Sequence, residues 1–331
     1  MSLARAVPGF AAWSAAYATA SLTLLAQTSG TIQDHLDRAK SAAGSQWSQA
    51  ATYFCAEDSV ANRPTDPAIE PTRLFDNLSV IGSIGTAVYI IQTTEGMILI
   101  DAGYPDQTES VVLPGLKALG LDPAKVRYVI VTHGHSDHFG AARYFQDTYQ
   151  AKVFLSAADW DLVENPQAGR GAAGRGAPPK GNANAAQLPR RDQVAMDGQP
   201  ITLGDTKILP VLVPGHTPGA LALIFTVFDH GTKHTAGLFG GTVLTPGFVT
   251  ADGLRDYVKS VQKYARVAAD NHIDVEVQNH PLMDGFAGKL DLLKNRSAQA
   301  PHPFVVGEQA YAGFLTVMSE CAQAQLIRKG N

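Results

Sequence analysis

Four short apolar runs, each followed by polar or turn-forming residues, set the frame of this chain. Residues 97–100 (MILI), 125–132 (KVRYVIVT), 208–213 (ILPVLV) and 273–277 (IDVEV) read as buried strands, because they are short, rich in Val and Ile, and bounded by turn formers. A longer period runs through 31–54. There Ile32, Leu36, Ala39 and Ala43 share one helical face, Thr31 with Asp34 three residues on marks a start, and Gly44 marks an interruption. Leu254, Tyr257, Val258, Val261, Tyr264 and Ala265 form an amphipathic helix that packs on a sheet. Tyr311, Phe314, Leu315, Met318, Cys321 and Ala322 follow the same spacing and read as a core-facing stripe.

Two segments lack such patterning. Residues 64–71 read as a linker into the first strand. Residues 165–191, dense in Gly, Ala, Pro and Asn, bury little surface and read as a loop. Arg170, Arg175, Lys180, Arg190 and Arg191 make that loop basic, which suits an anionic substrate but equally a solvated insertion.

At the N-terminus, residues 6–26 contain no charged side chain and follow Arg5. Their Ala, Ser and Thr content and the internal Pro8 favour a secretory signal over a membrane anchor, so the expected location is periplasmic or secreted, with no stable membrane span after processing. The expected division is 1–26 as signal, 27–72 as helix and linker, and 73–331 as the folded domain. The 331 residues are 45% hydrophobic, ample for a large core, and the net charge of -4 gives no reason to expect nucleic acid as a partner; a small-molecule substrate is the expectation. The only cysteines, Cys55 and Cys321, read either as a bridge between the N- and C-terminal helices or as two separate thiols.

The chemistry concentrates just after the strand at 125–132. His133, His135, Asp137 and His138 lie within residues 132–139 (THGHSDHF), and Gly134 lets the chain turn between them. Three imidazoles beside one carboxylate suit zinc. Donors at this spacing do not all face one ion, which points to two adjacent ions. Two more histidines follow apolar strands: His216 in 213–219 (VPGHTPG) and His280 in 278–281 (QNHP). The six sort into an all-nitrogen site, His133, His135 and His216, and a mixed site, Asp137, His138 and His280. Three protein ligands per ion leave room for water, as in a catalytic zinc site. Asp101, at the end of the 97–100 strand, is either a turn residue or an acceptor for a ligating histidine. His35, His230, His272, His302 and His234 read as structural.

In order, 96–103 (GMILIDAG), the histidine cluster, Asp197-Gly, Leu203-Gly, 214–219 (PGHTPG) and His280 resemble the metallo-β-lactamase superfamily. The resemblance runs from about Leu74 to the C-terminus. It implies an α/β fold, the αβ/βα metallo-β-lactamase sandwich: two mixed sheets face to face, helices outside, metals at one edge. Many hydrolases of this superfamily carry a metal-bridging Asp in a Phe-x-Gly-Asp pattern. Here 238–244 reads LFGGTVL and Thr242 stands in that place, which disfavours the glyoxalase II and tRNA-processing branches. A small hydroxyl residue there is similar to the third subclass of class B β-lactamases. Leu244 departs from that subclass, which often has a substrate-holding Ser at this position. The resemblance therefore implies hydrolysis of a cyclic amide, a β-lactam first, by zinc-bound hydroxide, with two zinc ions per chain. Asp137 would orient the nucleophile, and Thr242 would hydrogen-bond a ligand or water. A lactonase, esterase or amidase of the same fold is the alternative.

Overall fold

In a computed structural model of the protein, residues 30–57, 66–165, 188–244, 249–297 and 299–330 are described. The expected signal segment and Arg170, Arg175 and Lys180 lie outside the described residues. The first sheet runs in the order β1 (Thr72–Phe75), β2 (Leu78–Gly82), β3 (Ala87–Thr93), β4 (Gly96–Ile100), β5 (Val126–Ile130), β6 (Lys152–Leu155), β7 (Gln193–Val194). Its first four strands are antiparallel, and β4 through β7 are parallel. The second sheet contains β8 (Ile201–Leu203), β9 (Thr206–Leu212), β10 (Leu221–Asp229), β11 (Thr232–Phe239) and β12 (Val275–Glu276) in reverse order. Only the β11–β12 pairing is parallel there.

The apolar runs are continuous because both faces of their strands are buried. On β3, Tyr89 and Ile91 face the second sheet, while Val88 and Ile90 face outward, and all four are buried. The inner layer joins Val80, Tyr89, Ile98, Ile100 and Ile130 to Leu221, Leu223, Phe225, Val227 and Leu238 across the sandwich. Behind the first sheet lie α3 (Leu113–Ala118), α5 (Ala142–Tyr149) and α6 (Ala157–Glu164), which contribute Leu116, Phe145, Trp160 and Val163. Behind the second lie α7 (Ala251–Asp270) and α9 (Glu308–Arg328). The two helices expected from their stripes are thus present, with Tyr257, Val261, Tyr264, Tyr311, Phe314 and Met318 buried. This four-layer α/β sandwich of two mixed sheets is the expected fold.

The N-terminal segment joins the same outer layer. Thr31 caps α1 (Ile32–Ala43): its hydroxyl accepts from the Asp34 backbone, and the Asp34 carboxylate accepts from the Thr31 backbone. Gly44 ends the helix at φ +52°. The chain resumes as α2 (Ser48–Phe54), whose Phe54 and the preceding Trp47 stack near Phe314 of α9. Cys55 and Cys321 form a disulfide, with Cα atoms 4.6 Å apart, so the bridging alternative holds. No described helix is long and apolar enough to cross a membrane.

Candidate metal centre

Every candidate side chain follows a strand at the same edge of the sandwich. Asp101 follows β4, His133 follows β5, His216 follows β9, Thr242 follows β11 and His280 follows β12. Ile100 pairs with Ile130 across the β4–β5 ladder, which brings Asp101 beside Thr132 and His133. At the start of β10, Leu221 ties the two sheets together: its N–H donates to Thr132 O, and its carbonyl accepts from Gly240 N.

The nitrogens converge in two groups. His216 Nε2 lies 3.2 Å from His133 Nε2 and 3.0 Å from His135 Nδ1. Nearby, His138 Nε2 lies 3.1 Å from His280 Nε2. The other nitrogens of this second pair are spoken for. His138 Nδ1 sits 2.7 Å from Asp101 Oδ2, and His280 Nδ1 is hydrogen-bonded to Gly85 O. With both Nδ1 atoms donating, the two Nε2 atoms face each other, an arrangement satisfied by one cation between them, either a proton carried by His138 or a metal ion. Burial, followed by neighbouring histidines, holds His133 and His216 well below the ordinary histidine pKa, so both are neutral ligands. Burial lowers His135 as well. Neutral imidazoles gathered at this density fit zinc. His133 is within reach of both groups, since it clusters with His135 and His216 and also with His138 and His280.

Asp137 immediately precedes His138 on the short helix α4 (Ser136–Phe139). Its carboxylate is 22% exposed and lies 3.5 Å from His138 Nε2, on the second group. Burial opposes its ionisation, but His138 and the other imidazoles outweigh that and hold it well below the usual carboxylate range. For His138, burial is again outweighed, here by Asp137 and Asp101, which push it up to about 10.

Asp101 accepts from more than one donor. Besides His138, its carboxylate takes Thr132 N at 2.7 Å and Thr132 Oγ1 at 2.9 Å. Its backbone sits at φ +61°, a left-handed conformation costly for a residue with a Cβ. Of the two readings of Asp101, the acceptor reading is the one the geometry supports. Thr242 is fully buried, and its hydroxyl has no hydrogen-bond partner among the described residues. Gly241, at φ +71°, lies against His216, where a Cβ would come within 2.8 Å of the imidazole-bearing Cβ.

Leu244 requires a correction. It is only 1% exposed and belongs to the apolar layer with Val243, Phe239 and Tyr257, so it does not face a substrate. Arg190 and Arg191 are likewise engaged elsewhere, with Asp147 and with Asp161 and Glu164. The remaining histidines are structural in their contacts. His234 pairs with Asp274, His35 with Glu320, and His302 stacks on Phe75.

Four residues near the site carry no local sequence signal. Thr86 Oγ1 donates toward Asp137 Oδ2 at 3.4 Å. Gly85 supplies the carbonyl for His280, and Asp66 in turn accepts from Gly85 N. Asp159 is buried between the two ligand loops.

Residues 82–231 match the model of the metallo-beta-lactamase superfamily. The chain is 27% identical to BJP-1, a subclass B3 metallo-beta-lactamase of Bradyrhizobium japonicum, covering 79% of this chain and 95% of that one with a TM-score of 0.63. The FEZ-1 metallo-beta-lactamase from Legionella gormanii shares the fold at a TM-score of 0.67 and 21% identity, over 81% of this chain and 99% of that one. A third similarity is to acyl-coenzyme A thioesterase MBLAC2 of Gallus gallus, 25% identical over 239 residues, 64% of this chain and 78% of that protein. His280 and Thr242 lie beyond the matched family region, yet the fold returns both to the edge that carries His133. Fold, donor set and family match agree: residues 82–231 carry a metallo-β-lactamase superfamily domain, and the chain has the fold and the histidine cluster of a metallo-hydrolase of that kind.

Proposed function

We propose that this protein is a dinuclear zinc hydrolase that opens a cyclic amide, with β-lactams as its substrates. The observation that carries the reading is the pair of converging imidazole groups, with Asp137 beside the second. His133, His135 and His216 would hold one ion, and Asp137, His138 and His280 the other. When bound, zinc supplies a water acidic enough to ionise near neutral pH and a Lewis acid for the scissile carbonyl. The chain's own residues do the rest. Asp101 fixes the His138 tautomer, and Gly85 O fixes that of His280, so that each presents Nε2. Asp137, ionised and partly exposed, is the group placed to accept and pass on a proton, and Thr86 steadies its carboxylate. Similarity to BJP-1, a subclass B3 enzyme, over 95% of its length supports the β-lactam choice.

A second reading keeps the machinery and changes the substrate to a lactone, ester or thioester. Two observations favour it: no hydroxyl stands at 244, where Leu244 is buried, and one relative is named as an acyl-coenzyme A thioesterase. We place the mature protein in the periplasm or outside the cell, because the Cys55–Cys321 disulfide needs an oxidising compartment.

Steady-state hydrolysis of a penicillin, a carbapenem, an acyl-homoserine lactone, an aryl ester and an acyl-coenzyme A separates the readings. Turnover of the first two by protein holding about two zinc ions is expected, with loss on chelation and recovery on adding zinc. β-Lactams left intact while an ester or thioester is consumed would establish the second reading. Metal analysis showing no zinc would remove both.

A further inference from the structure

Asp159 stands in the first turn of α6, whose N-cap Ser156 accepts from the Asp159 backbone N–H. Its side chain is fully buried, and among the described residues it has no ion-pair partner. A buried carboxylate without a cation is costly, and burial pushes this one up to about 6 despite its donors. Packing α6 alone does not require such a residue; an apolar or amide side chain would fill the same space.

The donors show what it does. Oδ2 accepts from Gly134 N at 2.8 Å and from Thr217 Oγ1 at 2.6 Å, and Oδ1 accepts from Gly219 N at 2.7 Å. Gly134 separates His133 from His135, and Thr217 follows His216. One carboxylate therefore grips both loops that carry the all-nitrogen group. The loops fit closely around it. A Cβ on Gly219 would fall 1.9 Å from Ser156 Oγ, and one on Gly134 would lie 3.1 Å from Asp159 O.

We propose that Asp159 is a positioning residue that holds the His133–His135 loop and the His216 loop at the separation zinc requires. This rests on the metallo-hydrolase reading and concerns one of its two sites. Asp159 acts only through the loop backbones and the Thr217 hydroxyl.

The test is zinc affinity, read by competition with a chromophoric chelator on the natural chain, Asp159→Asn, Thr217→Val and Thr217→Ser. Each is also made in a His280→Ala background, which leaves the all-nitrogen site as the one to be read. Asparagine keeps the volume but replaces one acceptor oxygen by an amino donor. Whichever way the amide turns, either Gly134 N–H or Gly219 N–H then faces a donor. Removing an outer-shell partner lowers metal affinity roughly ten- to a hundredfold, and a loss of that size is expected at this site for Asp159→Asn. A smaller loss is expected for Thr217→Val, with recovery in Thr217→Ser, so the inference remains testable should Asp159→Asn fail to fold. Affinities equal to the parent's in Asp159→Asn, or in Thr217→Val if that variant alone folds, overturn the proposal. So does a lower melting temperature of the zinc-free protein with unchanged zinc affinity, which would make Asp159 purely structural. A natural chain that binds no zinc is a different result: it removes the hydrolase reading itself, and this inference with it.

Discussion

Asp137→Asn keeps the shape of the side chain and removes the charge that sits 3.5 Å from His138 Nε2. If Asp137 moves the proton, turnover falls by ~10²-fold or more; near-normal kcat with full zinc content would rule out that role. Leu244 leads to the opposite expectation from the one its sequence position invites. A serine there would gain no substrate contact, because the site is 1% exposed and lined by Val243, Phe239 and Tyr257. Leu244→Ser removes buried methyl groups and buries a hydroxyl, a destabilisation of about 3 kcal/mol. Urea unfolding should show that loss while KM stays unchanged. A lower KM for β-lactams without loss of stability would restore the substrate role. The five converging histidines were legible because the 132–139 cluster and the loops of His216 and His280 each follow an apolar run and carry Gly or Pro. Leu244 was not, since sequence position alone does not say which way a loop side chain points.

At the scale of elements, strands, helices and their faces followed from local pattern. β5 and β12 fall within the apolar runs, β9 overlaps the 208–213 run, and Thr31 begins α1 where the capping pattern places it. What the pattern left open were contacts between elements far apart in sequence: Asp159 with the 134 and 217–219 loops, Gly85 with His280, and Cys55 with Cys321. Periodicity reports which face of a segment is apolar, and it carries no information on which distant segment meets that face. The disulfide is the strongest of these links. It closes a separation of 266 residues, and the chain-entropy estimate for a loop of that size is roughly 5 kcal/mol. Cys321→Ser should lower unfolding stability by up to that amount by freeing α2 from α9. Zinc content should be preserved, because no ligand lies on either helix. Loss of zinc in a still-folded Cys321→Ser protein would show that the helical layer also shapes the metal edge.

At the scale of the whole molecule, one cluster of buried polar groups away from the metal ligands lies where β12 meets α8 (Phe286–Lys294). There Lys289 Nζ lies 2.6 Å from Glu276 Oε2 and 3.0 Å from Asp284 Oδ2, packed over the rings of Trp47 and Phe304. Two carboxylates share one ammonium, and Glu276 Oε1 has no hydrogen-bond partner among the described residues. Burial is the largest influence on Glu276; Lys289 opposes it and Asp284 adds to it, and the balance pushes Glu276 up to about 8. The folded protein thus keeps a proton that the unfolded chain releases above about 4.5. Where the native state binds more protons than the unfolded one, stability falls as pH rises. Glu276 should therefore weaken the fold progressively between about pH 4.5 and about pH 8 and add no further change beyond. Asp159 is raised to about 6 and contributes in the same direction, but only in the lower part of that window. Glu276→Gln keeps an acceptor for Lys289 and cannot ionise. Comparing urea unfolding of the zinc-loaded natural chain and this variant from pH 6.5 to 8.5 cancels the titrations the two proteins share. The natural chain should lose stability relative to the variant as pH rises. A constant difference across the range would mean that Glu276 is already ionised at pH 6.5, paired with Lys289 as an ordinary buried salt bridge.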